Sequence, residues 1–410
     1  MRVLVSTIGS RGDVQLVLAL ALALKDLQQE VHICAPPDFR ESIEVLGIPF
    51  FPVGPEVRPT VNVHSAAAKT MPSSEQLRQL MDDTIADQFK SFSEAAKGCD
   101  VLVAGMALQF ALRSVSELMG VRYVYSAWCP ITLPSPHHAP PPLPHLARPE
   151  GETDNLTLWA EDAKRWNAMF GTTLNRQRAS AGLAPVTDMQ SHIFTDRPWL
   201  ASDPILGPWP ETPGLDVFQT GAWIRQDQRP LSAELEAFLD AGEPPIYFGF
   251  GSMKAPKDLG QSMIQAAREV GRRAIVLRGW ADVTVPDNAP DCLSIGETNL
   301  QALFRRVAAV VHHGGTGTTT IAAMAGAPQV VVPQIYDQHY WARRVQALGI
   351  GTAHAAGIPT ADSLTESLRH SLRSEVADRA RTVSASVRTD GAEVAARRLI
   401  DISVNDRAPS

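Results

Sequence analysis

Short apolar runs recur along the chain, each followed by a turn and then by a longer segment with helical spacing. Residues 2–7 read as a first strand, 14–27 as a helix apolar almost all round, and 31–35 as a second strand closed by Pro36 and Pro37. A short helix at 38–46 and a strand at 48–53 continue the alternation. Further strands are expected at 101–104 and 122–126, with helices at 76–97, 107–118 and 156–181. In the last of these, Trp159, Trp166, Met169 and Phe170 read as core. Strands read this way are apolar throughout rather than alternating, so the sheet is parallel and covered on both faces.

A second run of the same kind begins at 217–220 and continues through strands at 246–250, 274–278, 293–295, 308–311 and 329–332. Helices are expected at 233–239, 261–270, 300–307, 337–348, 364–372 and 376–388. The fold class is therefore α/β, with two facing doubly wound, Rossmann-like domains at 1–210 and 217–390 and a linker near 207–214. A last helix, about 392–402, is placed to cross back to the first domain. Two segments break the pattern. Residues 54–74 read as a mobile loop, and the proline-rich stretch 130–149 as a long surface loop, either a lip over a cleft or a plain connector.

The stretch 308–338 carries the clearest chemistry. A buried strand runs into His313-Gly314-Gly315-Thr316-Gly317, and Thr318-Thr319-Thr320 opens a helix that stops near Gly326-Ala327-Pro328. Glycines let the backbone approach a ligand closely, and the first N–H groups of the helix point into the loop, so the guest expected is a phosphate or diphosphate. His313 adds a neutral donor or a partial positive charge. The loop matches neither Gly-x-Gly-x-x-Gly nor a Gly-Lys-Ser/Thr ending.

With 410 residues, 44% hydrophobic and 20% charged, the chain can build two large cores. A net charge of -7 argues against a nucleic-acid surface. Cys34, Cys99, Cys129 and Cys292 show no metal spacing, and the expectation is a reduced cytoplasmic protein without a signal peptide. The longest apolar run, 16–24, is too short to span a bilayer, so no stable membrane insertion is expected. The expected state is a monomer.

Several motifs point further. Residues 1–13, Cys34-Ala35-Pro36-Pro37-Asp38, Gln219-Thr220-Gly221-Ala222-Trp223, Gly249-Phe250-Gly251-Ser252, Arg278-Gly279-Trp280 and the stretch 301–314 resemble the bacterial natural-product glycosyltransferases of the GT-B fold. The resemblance is to those acting on glycopeptide aglycones of the vancomycin class in particular, and it spans nearly the whole chain. It implies an inverting, metal-independent transfer of a hexose from a UDP- or dTDP-sugar to a hydroxyl of a small-molecule acceptor, without a resident cofactor. A phenolic hydroxyl would suit an aspartate of ordinary basicity.

By match to the family's Gly-Ser-Arg-Gly-Asp loop, the resemblance implies that Asp13 is the general base; read alone, Asp13 is an ordinary helix N-cap. It further implies that Ser10 and Arg11 reach the donor, and that Ser252 contacts a phosphate. His312, His313, Gly314, Gly315, Thr316, Gly317 and Thr318 would form the diphosphate cradle, and Asp337 with Gln338 would hold the sugar hydroxyls. Trp128 and His137 would line the acceptor site. The sequence departs from plant-type relatives at two places. Glu297-Thr298-Asn299 stands where they carry a base-stacking tryptophan, so Thr298 faces the base, and Ile321 replaces their ribose-binding glutamate. Trp280 is a nearby candidate with an equally plausible core role. No Asp-x-Asp metal motif is present. The alternatives are a polyketide, sterol or glycolipid acceptor, a sugar-nucleotide epimerase, and a non-catalytic nucleotide-sugar binder.

Overall fold

A computed structural model describes residues 1–57, 74–141, 151–251, 258–280, 283, 285, 289–355 and 357–405. Most of the expected loop 54–74 and residues 142–149 of the proline-rich stretch lie outside the described residues.

The first sheet is parallel throughout, in the order β3-β2-β1-β4-β5-β6-β7, with β1 Arg2–Thr7, β2 Glu30–Ala35, β3 Phe50–Pro52, β4 Val101–Gly105, β5 Arg122–Ala127, β6 Trp199–Leu200 and β7 Phe218–Gln219. The second has the order β10-β9-β8-β11-β12-β13, with β8 Ile246–Gly249, β9 Ala274–Leu277, β10 Cys292–Ile295, β11 Ala309–His312, β12 Gln329–Val331 and β13 Gly351–Ala353. Each sheet reverses its strand order once, the topology that opens a crevice at the carboxyl ends of the strands. The strands are buried on both faces, as their unbroken apolar runs require.

Segment 217–220, which reads from sequence as the start of the second half, instead adds β7 to the edge of the first sheet beside Trp199–Leu200. The chain crosses to the second sheet only afterwards, through 220–232, downstream of the expected linker at 207–214.

Helix Arg11–Asp26 is apolar on nearly every side because it has two partners. One face lies on the first sheet, and the other packs on the last helix, Gly391–Asn405, through Ala392, Ala395, Ala396 and Leu399. A fully buried leucine such as Leu399 contributes about 1.5–3 kcal/mol. At its start the last helix also lies close on the backbone after β7, where a Cβ added at Gly391 would sit 2.4 Å from the Gly221 carbonyl carbon.

The long helical stretch after Asn155 carries a π-turn at Asn167–Gly171. Trp159 is buried, and Trp166 and Phe170 pack around Phe110, but Met169 is exposed rather than core. The proline-rich stretch is not wholly irregular either, since Pro130–Thr132 forms a 3₁₀ turn with buried side chains.

The two lobes share a third core. Cys129, Ile131 and Leu206 pack against Trp341, Val345 and Ala323. Arg344 donates to the carbonyls of Leu206 (2.8 Å) and Ile205 (3.0 Å). Arg11, after β1, pairs with Glu297, after β10, at 2.9 Å, and Phe39 stacks on Trp280 at 6.1 Å. Those last two contacts join segments that follow strand carboxyl ends, so the two crevices face each other. Among the described residues, no helix is long and apolar enough to cross a membrane.

Candidate active site

Loop Ile8-Gly9-Ser10 leaves β1 and turns at once into helix Arg11–Asp26. Ser10 is the N-cap, and Asp13 is the N3 partner of a capping box. Asp13 is thus not the N-cap that its position before an apolar run suggests, because the helix begins two residues ahead of it. Asp13 Oδ2 accepts from the Ser10 N–H at 2.8 Å and the Ser10 hydroxyl at 3.2 Å. Its Oδ1 accepts from the Trp128 indole N–H at 3.1 Å. Gly9 permits this, since a Cβ there would lie 2.3 Å from Oδ2. Burial between the lobes raises the Asp13 pKa, and the bonds from Ser10 and Trp128 oppose the rise. Asp13 is therefore a stronger base than an ordinary aspartate, so a phenolic hydroxyl suits it without being the one acceptor it could serve.

Across the crevice, β11 ends at His312. That residue is fully buried, with Nδ1 accepting from the Gly314 N–H (3.1 Å) and Nε2 facing Gln329 Oε1 (2.9 Å). Both ring nitrogens are taken up at the strand end, so His312 shapes the loop beside the expected cradle. His313 points the other way. A Cβ on Gly315 would lie 2.7 Å from its Nε2, and one on Gly251 would lie 3.0 Å from its Cε1, so the ring is slotted between two glycine turns. Its buried Nδ1 has no hydrogen-bond partner among the described residues, and backbone at Gly249 partly offsets the effect of burial on the ring. Burial pushes the His313 pKa down to about 4, so the ring is neutral at pH 7 and supplies no positive charge.

The loop helix spans Thr316–Met324, two residues earlier than its sequence suggests, with Gly315 as an N-cap that provides no side-chain hydrogen bond. The N–H groups of Thr316, Gly317 and Thr318 thus belong to its first turn, which has no intrahelical acceptors. At Gly317 an added Cβ would meet nothing within 4 Å, so the turn is open there. Gly314 needs its missing side chain, having φ 93° and a would-be Cβ 2.8 Å from Val331 Cγ1. The Thr316 hydroxyl does not face the open turn. It donates to Asp337 Oδ2 (3.2 Å) and accepts from Trp341 Nε1 (3.0 Å).

Asp337 sits at the start of helix Gln338–Ala347 but does not cap it. Its Oδ2 also accepts from Trp341 Nε1 at 3.2 Å, an i,i+4 contact. The sequence pattern does not single out Trp341, yet that spacing was available in it. Gln338 is buried, and its Oε1 accepts from the N–H groups of Gln334 (2.8 Å) and Ile335 (3.2 Å). Through Oε1 it holds the loop that carries Asp337.

Burial, then the charge of Asp13, push the Asp337 pKa up to about 6. Folding therefore favours the protonated form, and stability is lost as pH rises from about 4, the unfolded value, through about 6. Asp337→Asn is expected to be more stable than the parent at pH 8, on the order of 1–3 kcal/mol, with a smaller gain at pH 5. Urea titrations at the two pH values check this, and an equal difference at both would contradict it.

The remaining expected site residues divide. Arg11 is committed to Glu297 across the crevice. Trp280 donates its N–H to the Gly251 carbonyl (3.0 Å) and stacks on Phe39, an inter-lobe role. Thr298 is half-buried in the turn before Asn299, which caps the next short helix. Ile321 packs with the second core, so no ribose contact comes from that position. Trp128 is 3% exposed and wedged in the first core, with its indole N–H on Asp13. His137 is exposed, its Nε2 3.1 Å from the Glu211 carbonyl, far along the loop from the Asp13 cluster in sequence and bonding. Ser252 lies outside the described residues. Among the described residues no three His, Cys, Asp or Glu side chains cluster as a metal site would require.

The arrangement is a raised-pKa carboxylate facing an uncapped helix start beside a neutral imidazole. Comparisons with known proteins identify the family. Residues 3–130 match the glycosyltransferase family 28 N-terminal domain, and 276–397 match the erythromycin biosynthesis protein CIII-like C-terminal domain. The chain is 48% identical to glycosyltransferase GtfE of Amycolatopsis orientalis, covering 100% of this chain and 99% of that one. It is 47% identical to the vancomycin aglycone glucosyltransferase of the same organism, over 98% and 97%. Solved structures share the GT-B fold: the glycotransferase of kitacinnamycin has TM-score 0.73 at 17% identity (98% of each chain), and VinC in complex with dTDP has 0.66 at 18% (99% and 100%). The chain belongs to the nucleotide-sugar-dependent natural-product glycosyltransferases.

Proposed function

We propose that the chain transfers a hexose from a UDP- or dTDP-sugar to a phenolic hydroxyl of a glycopeptide-type aglycone in a single inverting displacement. The first lobe, with the last helix packed on it, takes the acceptor, and the second takes the nucleotide sugar. Asp13 removes the hydroxyl proton as the acceptor oxygen bonds to the anomeric carbon. The bond from that carbon to the diphosphate oxygen breaks, and its electron pair leaves with the diphosphate. The N–H groups of Thr316–Thr318 and neutral His313 meet that charge without a metal. Asp337 faces the sugar between them.

The observation that carries this reading is that the Asp13 charge acts on Asp337, whose carboxylate accepts from the Thr316 hydroxyl at the open helix start. The relatives named for glycopeptide work supply the acceptor class. The test incubates the protein with UDP-glucose or dTDP-glucose and either a glycopeptide aglycone or a macrolide, with and without EDTA. One hexose added to the glycopeptide, with inverted anomeric configuration and no loss of rate in EDTA, is expected. Transfer to the macrolide alone would overturn the acceptor class, and consumption of the donor without any acceptor would overturn transfer itself.

A further inference from the structure

The carboxylate proposed as the base is held at both oxygens before any substrate arrives. A carboxylate offers about four acceptor positions. Ser10 fills two of them on Oδ2, through its N–H and its hydroxyl. The Trp128 indole N–H fills one on Oδ1. Asp13's own backbone N–H also acts on the carboxylate, and Oδ1, which holds a single side-chain donor, is the oxygen with room for an incoming proton. We propose that Trp128 is a positioning residue for the transfer reaction, its N–H fixing the Asp13 carboxylate so that the acceptor proton is delivered to Oδ1. This rests on Asp13 being the base.

The indole is well placed for such a role. It follows directly on β5, a central strand of the first sheet. Its ring meets Trp223 edge-on at 5.1 Å, and Gly105 leaves it room, since a Cβ there would lie 2.7 Å from Trp128 Cζ2. Trp223 spends its own N–H on the Thr220 hydroxyl at 3.0 Å, which leaves the Asp13 bond to Trp128. An indole N–H donates and cannot accept, so Trp128 takes no proton itself. What it does is favour the ionised carboxylate.

The groups facing Asp13 sharpen the consequence. From the second lobe, Asp337 and Tyr336 face it, and the Asp13 charge raises the pKa of both. Arg11, on its own helix, is paired with Glu297. Ser10 and Trp128, with Asp13's own backbone N–H the smallest contributor, are then the hydrogen-bond donors that oppose burial. Removing the indole N–H leaves Oδ1 free to turn and tilts Asp13 toward its protonated form.

The experiment compares the parent with Trp128→Phe, and with β-(3-benzothienyl)alanine at position 128, which keeps the bicyclic shape but lacks the N–H. Both are expected to lower kcat at pH 7 by about 10–100-fold, the scale of a misaligned general base. Both should move the acid limb of the kcat profile upward by roughly one pH unit, with donor KM within about twofold of the parent. Because the second variant is isosteric, collapse of the phenylalanine variant alone does not shield the proposal. An unmoved acid limb with a raised acceptor KM would overturn it and return Trp128 to the acceptor wall. Measured in the Asp13→Asn background, Trp128→Phe should add no further loss, and an added loss would mark a general structural effect instead. Full turnover in Asp13→Asn would sink the base assignment itself. A dead Asp13→Asn beside an unaltered Trp128→Phe would sink only the positioning role.

Discussion

Asp13→Asn is expected to lower kcat by about 10²–10⁴-fold, the range over which positioned general bases contribute. Donor affinity should change little, because the diphosphate cradle belongs to the other lobe. The substitution also disturbs the capping box. An asparagine can accept from the Ser10 N–H with its single oxygen, but its amide group then faces the Trp128 N–H, donor against donor. Such a mismatch costs about 1–3 kcal/mol, so the variant should unfold at lower denaturant while still binding nucleotide. The measurement is single-turnover transfer alongside the donor-induced rise in Tm. Loss of transfer with the rise retained supports the base. Loss of both would assign Asp13 to folding of the crevice, and parent-like transfer would remove it from the mechanism.

The sheets were legible in the sequence wherever local pattern decides them. β1, β2, β4 and β5 are short, largely apolar runs bounded by turns, and such runs fit a covered parallel sheet. β7 was not legible as part of the first sheet. Phe218–Gln219 is two residues long and has no face of its own, so its membership is decided by pairing with Trp199–Leu200 across the chain. Met169 was misread for a related reason. The π-turn at Asn167–Gly171 inserts an extra residue into the helical count and rotates the rest of the helix, which a 3.6-residue period does not register. The loop helix starts at Thr316 although glycine and threonine are weak helix formers. Thr316 is held there by Asp337 and Trp341, partners the local sequence does not contain.

In the site, what the sequence carries is the backbone frame. The glycine turn after β11 and the Gly9–Asp13 loop after β1 are local signals, and both stand at the crevice. Division of labour among neighbours is not local. His312 and His313 are adjacent and chemically identical, yet strand alternation sends one into Gln329 and the other into the slot between Gly251 and Gly315. Asp337 and Gln338 split in the same way, one toward Thr316 and the other back onto its own loop. Trp128 reads as a cleft aromatic because it follows a strand carboxyl end. Only the pairing of β4 between β1 and β5, which sets Gly105 beneath its ring, shows why it is buried and turned toward Asp13.

His313→Ala is expected to lower kcat/KM by about 10²–10³-fold, as removal of one preorganised donor to a developing anion does. The ring is held between two glycine turns with Nε2 toward the helix start, so its loss removes a donor where charge appears and opens a gap that water can fill. Its pKa of about 4 makes a second, sharper statement. A histidine acting as a cation would lose its effect as pH rose through the ordinary value near 6.5. A neutral donor keeps its protonation state from about pH 5 upward, so the ratio of parent to variant kcat/KM should stay constant between pH 5.5 and 8.5. Binding of the free nucleoside diphosphate should weaken by about tenfold or more at every pH in that window, a loss of about 1.4 kcal/mol. A parent-to-variant ratio that shrinks as pH rises would show that His313 works as an imidazolium. A ratio near one throughout would move the diphosphate away from this helix start and take the rest of the crevice assignment with it.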